Sequence, residues 1–287
     1  MSFDPGARLD PTQVRDVRGR GGAIAGIGGA GVLVLALVYV LLGGDPADLQ
    51  GALSGPQGGE PGPGSTTLQQ ECRTGADANE RDDCRILGYV NSVQAFWEGE
   101  FKASAQPYQP AETVLFTGSV QTGCGTATSQ VGPFYCPTDG RVYVDLDFFA
   151  VLRSELGAQG GSLAQGYVVA HEYGHHVQNL LGVLGEARSG DTGPDSGAVR
   201  VELQADCYAG AWANKAEETG FLQPLTKAQI ADALDAAAAV GDDRIQQKAE
   251  GQVNPERWTH GSGEMRQQWF TTGYESGDPA RCDTFSG

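Results

Sequence analysis

Residues 163–181 read LAQGYVVAHEYGHHVQNLL, and the rest of the chain is interpreted outward from them. The spacing of the apolar residues predicts one helix from Leu163 to Leu181. Residues four apart on a helix share a face, so His171 and His175 can present two imidazoles to one zinc ion. The sequence therefore predicts a helix that carries two metal ligands.

Glu172 directly follows the first of these histidines. On a helix it is rotated by about 100° from His171, yet it stays beside the metal, where it can take a proton from zinc-bound water. The order His-Glu-x-x-His is the arrangement of zinc metallopeptidases. With His at ~2% and Glu at ~6% of residues, a chance match in a chain of this length is roughly a one-in-a-hundred event. We therefore expect Glu172 to be catalytic.

A third protein ligand is needed, with the fourth position left open for water. Glu202 and Asp206 lie in a second predicted helix and again have the i, i+4 spacing. We expect Glu202 to bind the zinc and Asp206 to accept the ring N–H of a ligating histidine. The alternative is a solvated acidic face, because this pair of residues is common on helices.

Two histidines remain. His176 lies about 100° around the helix from His175, so we expect it to be packed or hydrogen-bonded and not a ligand. His260 is a candidate catalytic residue that could donate to the oxyanion of a tetrahedral intermediate. Alternatively, it organises the entry to the last helix.

The remaining elements follow from periodicity and from turn residues. Residues 80–101 have helical spacing, and residues 113–117 and 141–149 resemble strands on either side of a loop rich in Gly, Pro and Cys. Further helices are expected over 149–156, 198–218, 226–240 and 262–274. Thr226 and Gln229 fit a capping box at the start of one of them.

The first part of the chain predicts a membrane anchor. Residues 21–44 carry no charge and include an almost purely apolar run over 32–42, which suffices for one membrane-spanning helix. Four arginines precede this run and two aspartates follow it, which places the N-terminus in the cytoplasm. The alternative is a cleaved signal peptide, but no clear A-x-A site follows Leu42.

Four regions follow from this interpretation. They are a cytoplasmic arm over 1–20, a transmembrane helix over 21–44, a flexible Gly/Pro-rich linker over 45–70 and a folded extracytoplasmic domain over 71–287. The 287 residues contain 36 acids and 19 bases, for a formal charge of −17. Such an acidic balance argues against nucleic acid as a partner.

All six cysteines lie in the predicted extracytoplasmic domain. An even count there indicates disulfides, although six cysteines allow 15 connectivities. Nearest-neighbour pairing suggests Cys72 with Cys84 and Cys124 with Cys136, which leaves Cys207 for Cys282. A zinc cluster is the alternative, but no C-x-x-C spacing is present.

Several segments together resemble the bacterial putative neutral zinc metallopeptidase family. They are HEYGHHVQNLLG (171–182), ELQAD (202–206) followed by CYAGAWA, GDDRIQ (241–246), THG (259–261), CDTF (282–285) and CGTATSQVGPFYCPTDGRVYVDLDFF (124–149). The resemblance implies an α+β fold, a mainly helical, zincin-like (gluzincin) domain with a small sheet, preceded by a single transmembrane helix and a flexible linker. It also implies that Val142 to Phe148 is the strand that lies against an extended substrate.

The resulting hypothesis is a membrane-anchored peptidase with one zinc ion, acting on extracytoplasmic proteins or peptides. His171, His175 and Glu202 would hold the zinc ion, and Glu172 would act as the general base. The alternative is a non-catalytic zinc-containing envelope protein that binds or regulates a partner. A structural site would normally close its coordination with a fourth residue, and no further Cys or His motif is placed for that.

Overall fold

The computed structural model describes residues 2–18, 65–187 and 191–286, and nine α-helices lie within these ranges. They are α1 (Ser65–Glu71), α2 (Gly75–Glu80), α3 (Asp82–Ala103), α4 (Phe148–Ser154), α5 (Ser162–Leu180), α6 (Gly197–Lys215), α7 (Lys227–Ala239), α8 (Asp242–Glu250) and α9 (Gly263–Ser276).

Within the same described ranges, six strands form two separate sheets. They are β1 (Val14–Asp16), β2 (Glu112–Phe116), β3 (Ser119–Thr122), β4 (Gly125–Thr128), β5 (Phe134–Cys136) and β6 (Arg141–Asp145). The larger sheet has the order β1-β2-β6-β5, in which β5 alone runs antiparallel to its neighbour. The smaller sheet is the antiparallel hairpin β3-β4. The segment between β2 and β6 therefore contains the hairpin β3-β4 and the edge strand β5.

The helical core is built around α5, whose side chains are buried over most of its length. It packs against α6 at Gly174, where an added Cβ would lie 3.0 Å from the Cα of Ala205. Helix α9 approaches α6 from another side, and a Cβ at Gly273 would overlap the carbonyl oxygen of Cys207. These small residues allow three helix backbones to come close together, which fixes the relative position of α5, α6 and α9.

The N-terminal residues 2–18 belong to the same folded body. Strand β1 pairs in parallel with β2, and the ring of Phe3 is buried 4.8 Å from that of Tyr89. The guanidinium of Arg18 lies 2.9 Å from the carboxylate of Asp83 in α3. This part of the chain therefore adds a strand and core side chains to the domain.

That packing corrects the predicted topology and fold class. The predicted transmembrane helix over 21–44 lies outside the described residues, and no helix in the described ranges is long and apolar enough to cross a membrane. The arm over 1–20 was expected on the cytoplasmic side, with the domain on the other. Contacting parts of one body cannot lie on opposite sides of a membrane, so the predicted single-pass location is wrong. The fold is a mixed α/β one, and its N-terminal region contributes strand β1 to the larger sheet.

Most of the other predicted elements are confirmed to within a few residues. Helices α3, α4, α5, α6, α7 and α9 correspond to predicted helices, and the capping box of Thr226 and Gln229 is present. The strand predicted over 141–149 ends at Asp145, because Phe148 already begins α4. Helix α8 was missed because it is short and mostly polar. Residues 65–70, within the predicted linker, form the start of α1.

Three disulfides connect the pairs that nearest-neighbour spacing suggests. Cys72–Cys84 links the end of α1 to α3, Cys124–Cys136 links the β3-β4 hairpin to β5, and Cys207–Cys282 links α6 to the C-terminal segment. Each bond connects two different segments of secondary structure. Each therefore reduces the conformational entropy of the unfolded chain and stabilises the fold.

Candidate metal centre

Helices α5 and α6 bring the three predicted ligands to one point. One ligand atom each from His171, His175 and Glu202 lie within 4.8 Å of one another. His171 Nε2 is 3.1 Å from Glu202 Oε2, and His175 Nε2 is 3.4 Å from Glu202 Oε1. Two imidazole nitrogens and one carboxylate oxygen are the donor set that zinc accepts with water in its fourth position. The residues present therefore fit a zinc ion.

The second nitrogen of each histidine is held by a neighbouring acceptor. His171 Nδ1 lies 2.9 Å from Asp206 Oδ1, the contact that the sequence predicts. His175 Nδ1 lies 2.9 Å from Gln178 Oε1, while Gln178 Nε2 donates to the carbonyl of Val201 at 2.7 Å. Both Nδ1 atoms therefore donate a proton to these acceptors, and in each ring Nε2 is the nitrogen that faces the candidate metal position.

Two residues that sequence reasoning missed hold Asp206 in place. The Arg266 guanidinium in α9 donates to both carboxylate oxygens of Asp206, at 2.8 and 3.1 Å. The Tyr167 hydroxyl donates to Asp206 Oδ1 at 2.5 Å. Tyr167 could have been found, because it precedes His171 by four residues on the same helix face. Arg266 could not, since it reaches the site only through the tertiary packing of α9.

Burial and charge shift the titration of this cluster. Burial lowers the pKa of His171, but the negative charges of Asp206 and Glu202 outweigh it and raise that pKa to about 10. Burial lowers the pKa of His175. Burial raises the pKa of Glu202, yet the nearby histidines hold it well below its usual range. The cluster therefore concentrates negative charge on Glu202 and Asp206, which favours a bound cation.

Glu172 lies in the same cavity and has a different environment. Its side chain is buried, and burial is the main reason that its pKa is raised to about 7. The charges of His171 and Arg266 and the backbone N–H of Tyr135 act in the opposite direction. A carboxyl group with a pKa near neutrality can both accept and return a proton.

His260 lines the cavity as well, on the loop before α9. Its Nδ1 lies 2.8 Å from the hydroxyl of Thr259 and 3.7 Å from Asp242 Oδ1. The other oxygen of Asp242 accepts backbone N–H groups of Thr259, His260 and Gly261, at 2.8, 2.7 and 3.0 Å. Asp242 therefore fixes the loop that carries His260, a role that sequence reasoning missed.

His176 lies outside this cluster, as the sequence predicts. Its Nε2 donates to the carbonyl of Gln109 at 2.6 Å, and its Nδ1 lies 3.2 Å from the Tyr135 hydroxyl. Burial lowers its pKa, so it is a neutral packed residue. It connects α5 to the strand side of the cavity.

A cavity of about 390 Å³ joins the metal ligands to the strand layer. Its strand side is formed by the hairpin tip and by β5, and its helical side by α5, α8 and the ligands. The lining includes Thr122, Cys124, Ala127, Phe134, Tyr135, Phe148, Val168, Glu172, Val240, Ile245 and His260. The prediction that the strand over Val142 to Phe148 lies against an extended substrate is wrong, because β6 already pairs with β2 on one side and with β5 on the other. The edge strand at the cavity is β5.

Comparisons with known proteins show one family match and several similar proteins. The model of a family described as putative neutral zinc metallopeptidase matches residues 8–285. An uncharacterized protein of Mycobacterium tuberculosis H37Rv is 57% identical over 223 residues, 75% of each chain. The uncharacterized protein YpfJ of Escherichia coli K12 is 38% identical over 263 residues, 90% of this chain and 87% of its own. No solved structure matches significantly.

Proposed function

The chain belongs to the putative neutral zinc metallopeptidase family, and from this premise we propose that it hydrolyses peptide bonds with one zinc ion. His171, His175 and Glu202 would hold the zinc, and Glu172 would act as the general base. The observation that carries the proposal is the convergence of three ligand atoms within 4.8 Å, with buried Glu172 in the same cavity. A purely structural zinc site has no use for such a carboxyl group.

The reaction begins with a proton transfer to Glu172. Zinc, when bound, would acidify a water molecule and stabilise the oxyanion that forms on the substrate carbonyl. Glu172 accepts the proton of the attacking water and then delivers it to the nitrogen of the leaving amine. In the metal-free protein burial raises the pKa of this carboxyl group, which makes it a stronger base than an exposed glutamate.

Neighbouring residues orient the side chains of His171 and His260. Asp206, held by Arg266 and Tyr167, keeps His171 in the tautomer whose Nε2 faces the metal. Asp242 holds the loop that presents His260 to the cavity. From there the His260 side chain can donate a hydrogen bond to the developing oxyanion.

The substrate would bind in an extended form along β5. Among the described strands it has one neighbour, β6, and its residues Phe134 and Tyr135 line the cavity. A strand edge without a neighbouring strand offers backbone N–H and C=O groups that can pair with an added strand. Such pairing is independent of side chains, so it supports a peptide or an unfolded protein segment as the substrate.

The test is the substitution Glu172→Gln, which keeps the shape of the side chain and removes the base. We expect cleavage of an unstructured protein such as casein to fall by about 10²–10⁴-fold, with zinc content unchanged. The matched control is Glu264→Gln, which alters an exposed carboxylate in α9 and should retain wild-type activity. Equal activity of the two variants would overturn the mechanism. Bound zinc without cleavage by the wild-type protein would instead favour a non-catalytic domain.

A further inference from the structure

The β3-β4 hairpin is a thin wall of the cavity, and Val120 packs its base against the buried cluster that contains Phe116 and Tyr143 of the larger sheet. Within the described residues its strands pair only with each other, and several residues between Thr122 and Ala127 line the cavity. Of the eight strand residues, only Ala127 is buried. An isolated two-stranded hairpin is marginally stable in water. Its position beside the metal centre therefore depends on how it is attached to the rest of the domain.

Two attachments hold the tip of the hairpin. The Cys124–Cys136 disulfide joins the tip to β5, the edge strand at the cavity. Asp139 Oδ2 accepts the backbone N–H of Gly123 at 2.7 Å and the hydroxyl of Tyr143 at 2.7 Å. The first attachment is covalent and the second is a pair of hydrogen bonds, so breaking the disulfide leaves the tip held by Asp139.

This disulfide differs from the other two in its access to solvent. Cys124 is exposed, whereas its partner Cys136 is completely buried. In Cys72–Cys84 and Cys207–Cys282 both cysteines are buried, with at most 1% exposure. Thiol–disulfide exchange requires that the attacking thiolate reach a sulfur atom of the bond. A reductant therefore reaches the cavity disulfide before it reaches the others.

We propose that Cys124–Cys136 is a reducible strap that holds the hairpin against the cavity and thereby limits the size of substrate that reaches the metal centre. The part that concerns substrates rests on the proposed function. With the strap closed, the cavity admits a single extended peptide. With the strap open, the hairpin moves away from β5, short peptides lose contacts with this wall and bulkier protein chains enter.

The opening step transfers two electrons from a dithiol. One thiolate of the dithiol attacks the exposed sulfur of Cys124, a mixed disulfide forms, and the Cys124–Cys136 bond breaks with Cys136 leaving as a thiolate. The second thiolate of the same dithiol then attacks the mixed disulfide and releases Cys124 as a thiolate. The dithiol is oxidised to a cyclic disulfide, and the two cysteines are reduced.

The first experiment tests access to the strap in the native full-length protein. A brief exposure to dithiothreitol is followed by iodoacetamide and by peptide mapping of the alkylated cysteines. We expect Cys124 and Cys136 to be labelled at least ~10-fold faster than the other four cysteines, because exchange rates depend on access. Equal labelling of the three pairs would overturn the proposal, whether or not the protein is a peptidase.

The second experiment compares substrates of two sizes without any reductant, since dithiols bind zinc. The ratio of kcat/KM for casein to kcat/KM for a short peptide is measured in C124S/C136S, with C72S/C84S as the matched control. We expect this ratio to rise about fivefold in the strap variant and to stay unchanged in the control. An unchanged ratio in the strap variant would contradict the proposal.

Asp139→Ala provides a second variant that loosens the same tip and leaves the cysteines intact. This substitution should also raise the casein-to-peptide ratio of kcat/KM, by a smaller factor than C124S/C136S. If C124S/C136S does not fold, Asp139→Ala still tests the proposal. A wild-type protein that cleaves neither substrate would overturn the proposed function and the substrate part of this proposal. The alkylation pattern would then still decide whether the strap is reducible.

Discussion

The two walls of the cavity are built in opposite ways. The helical wall carries the metal ligands on α5 and α6, which pack closely through Gly174, and Asp206 and Arg266 form a buried network behind them. The strand wall consists of a three-residue edge strand and an exposed hairpin held at its tip. Buried, hydrogen-bonded groups lock a geometry, whereas a thin exposed wall can vary. Under the proposed function, the helical wall would carry the chemistry and the strand wall would select the substrate.

The largest effect is expected from Asp206→Ala on the helical wall. This change leaves the buried guanidinium of Arg266 without its carboxylate partner, which should lower the free energy of unfolding by about 3–5 kcal/mol. Zinc affinity should fall about 10–100-fold, because His171 loses the acceptor of its Nδ1 proton. Urea unfolding and competitive zinc titration measure the two effects. Asp206→Asn keeps an oxygen that can accept the Nδ1 proton of His171, so it should lose less zinc affinity than Asp206→Ala. An equal loss of zinc affinity in the two variants would contradict the role of Asp206 as that acceptor.

The next effect concerns Glu172 in the metal-free protein. Its folded pKa of about 7 is above its unfolded value, so the unfolded state releases this proton at lower pH. Burial of this carboxyl group therefore does not lower the free energy of unfolding below about pH 4, where it is protonated in both states. The loss of stability grows as the pH rises toward 7. At pH 8 the cost is about 3 kcal/mol, since one pKa unit corresponds to ~1.4 kcal/mol. Glu172→Gln should gain that much stability relative to wild type between pH 5 and pH 8, measured by urea unfolding with a chelator. A pH-independent difference would refute the raised pKa.

A smaller effect tests the close packing of α6 and α9. Gly273→Ala places a Cβ on the carbonyl oxygen of Cys207 and should lower the free energy of unfolding by about 1–3 kcal/mol. The control is Gly99→Ala in α3, where an added Cβ meets no atom within 4 Å. That change should stabilise the protein by about 0.5–1 kcal/mol, because Ala favours a helix more than Gly does. Equal effects at the two positions would show that α9 is not held tightly.

The smallest effect is expected on the strand wall from Tyr135→Phe. The hydroxyl accepts a hydrogen bond from Asn179 at 2.9 Å and contacts His176, so its loss should cost about 1 kcal/mol of stability. KM for a peptide should rise a few-fold while kcat and zinc content stay unchanged. Steady-state kinetics with metal analysis measures these values. A large fall in kcat would place this strand within the chemistry and would break the contrast between the walls.

The sequence predicts the helical wall far better than the strand wall, for a physical reason. His171, His175 and Glu202 lie on long helices, where spacing along the chain fixes which side chains share a face. Arg266 and Asp242 join the site through contacts between distant segments, and no local pattern records such contacts. Strand β5 has three residues, too few for an alternating pattern to stand out from its Gly- and Pro-rich surroundings.

The error at the N-terminus has a related cause. The apolar run over 32–42 gives a strong local signal, and the short polar segment before it gives almost none. Phe3 and Val14 are buried only because the completed domain offers a cleft to Phe3 and a sheet edge to β1. Sequence reasoning that treats each segment by its own composition cannot detect a partner that appears about a hundred residues later.

The placement of β1 also sets the order in which the molecule can be completed. The first strand leaves the ribosome long before its partner β2, and Phe3 forms its bridge to Leu222 only when most of the chain has been synthesised. Contacts between residues so distant in sequence form late and slow the folding of a domain. Burial of the N-terminal segment is therefore completed in stages, from the early contact of Arg8 with Thr74 to the late contact of Phe3 with Leu222. A chain released from translation before Leu222 would lack this last contact, and the buried ring of Phe3 would lose part of its packing.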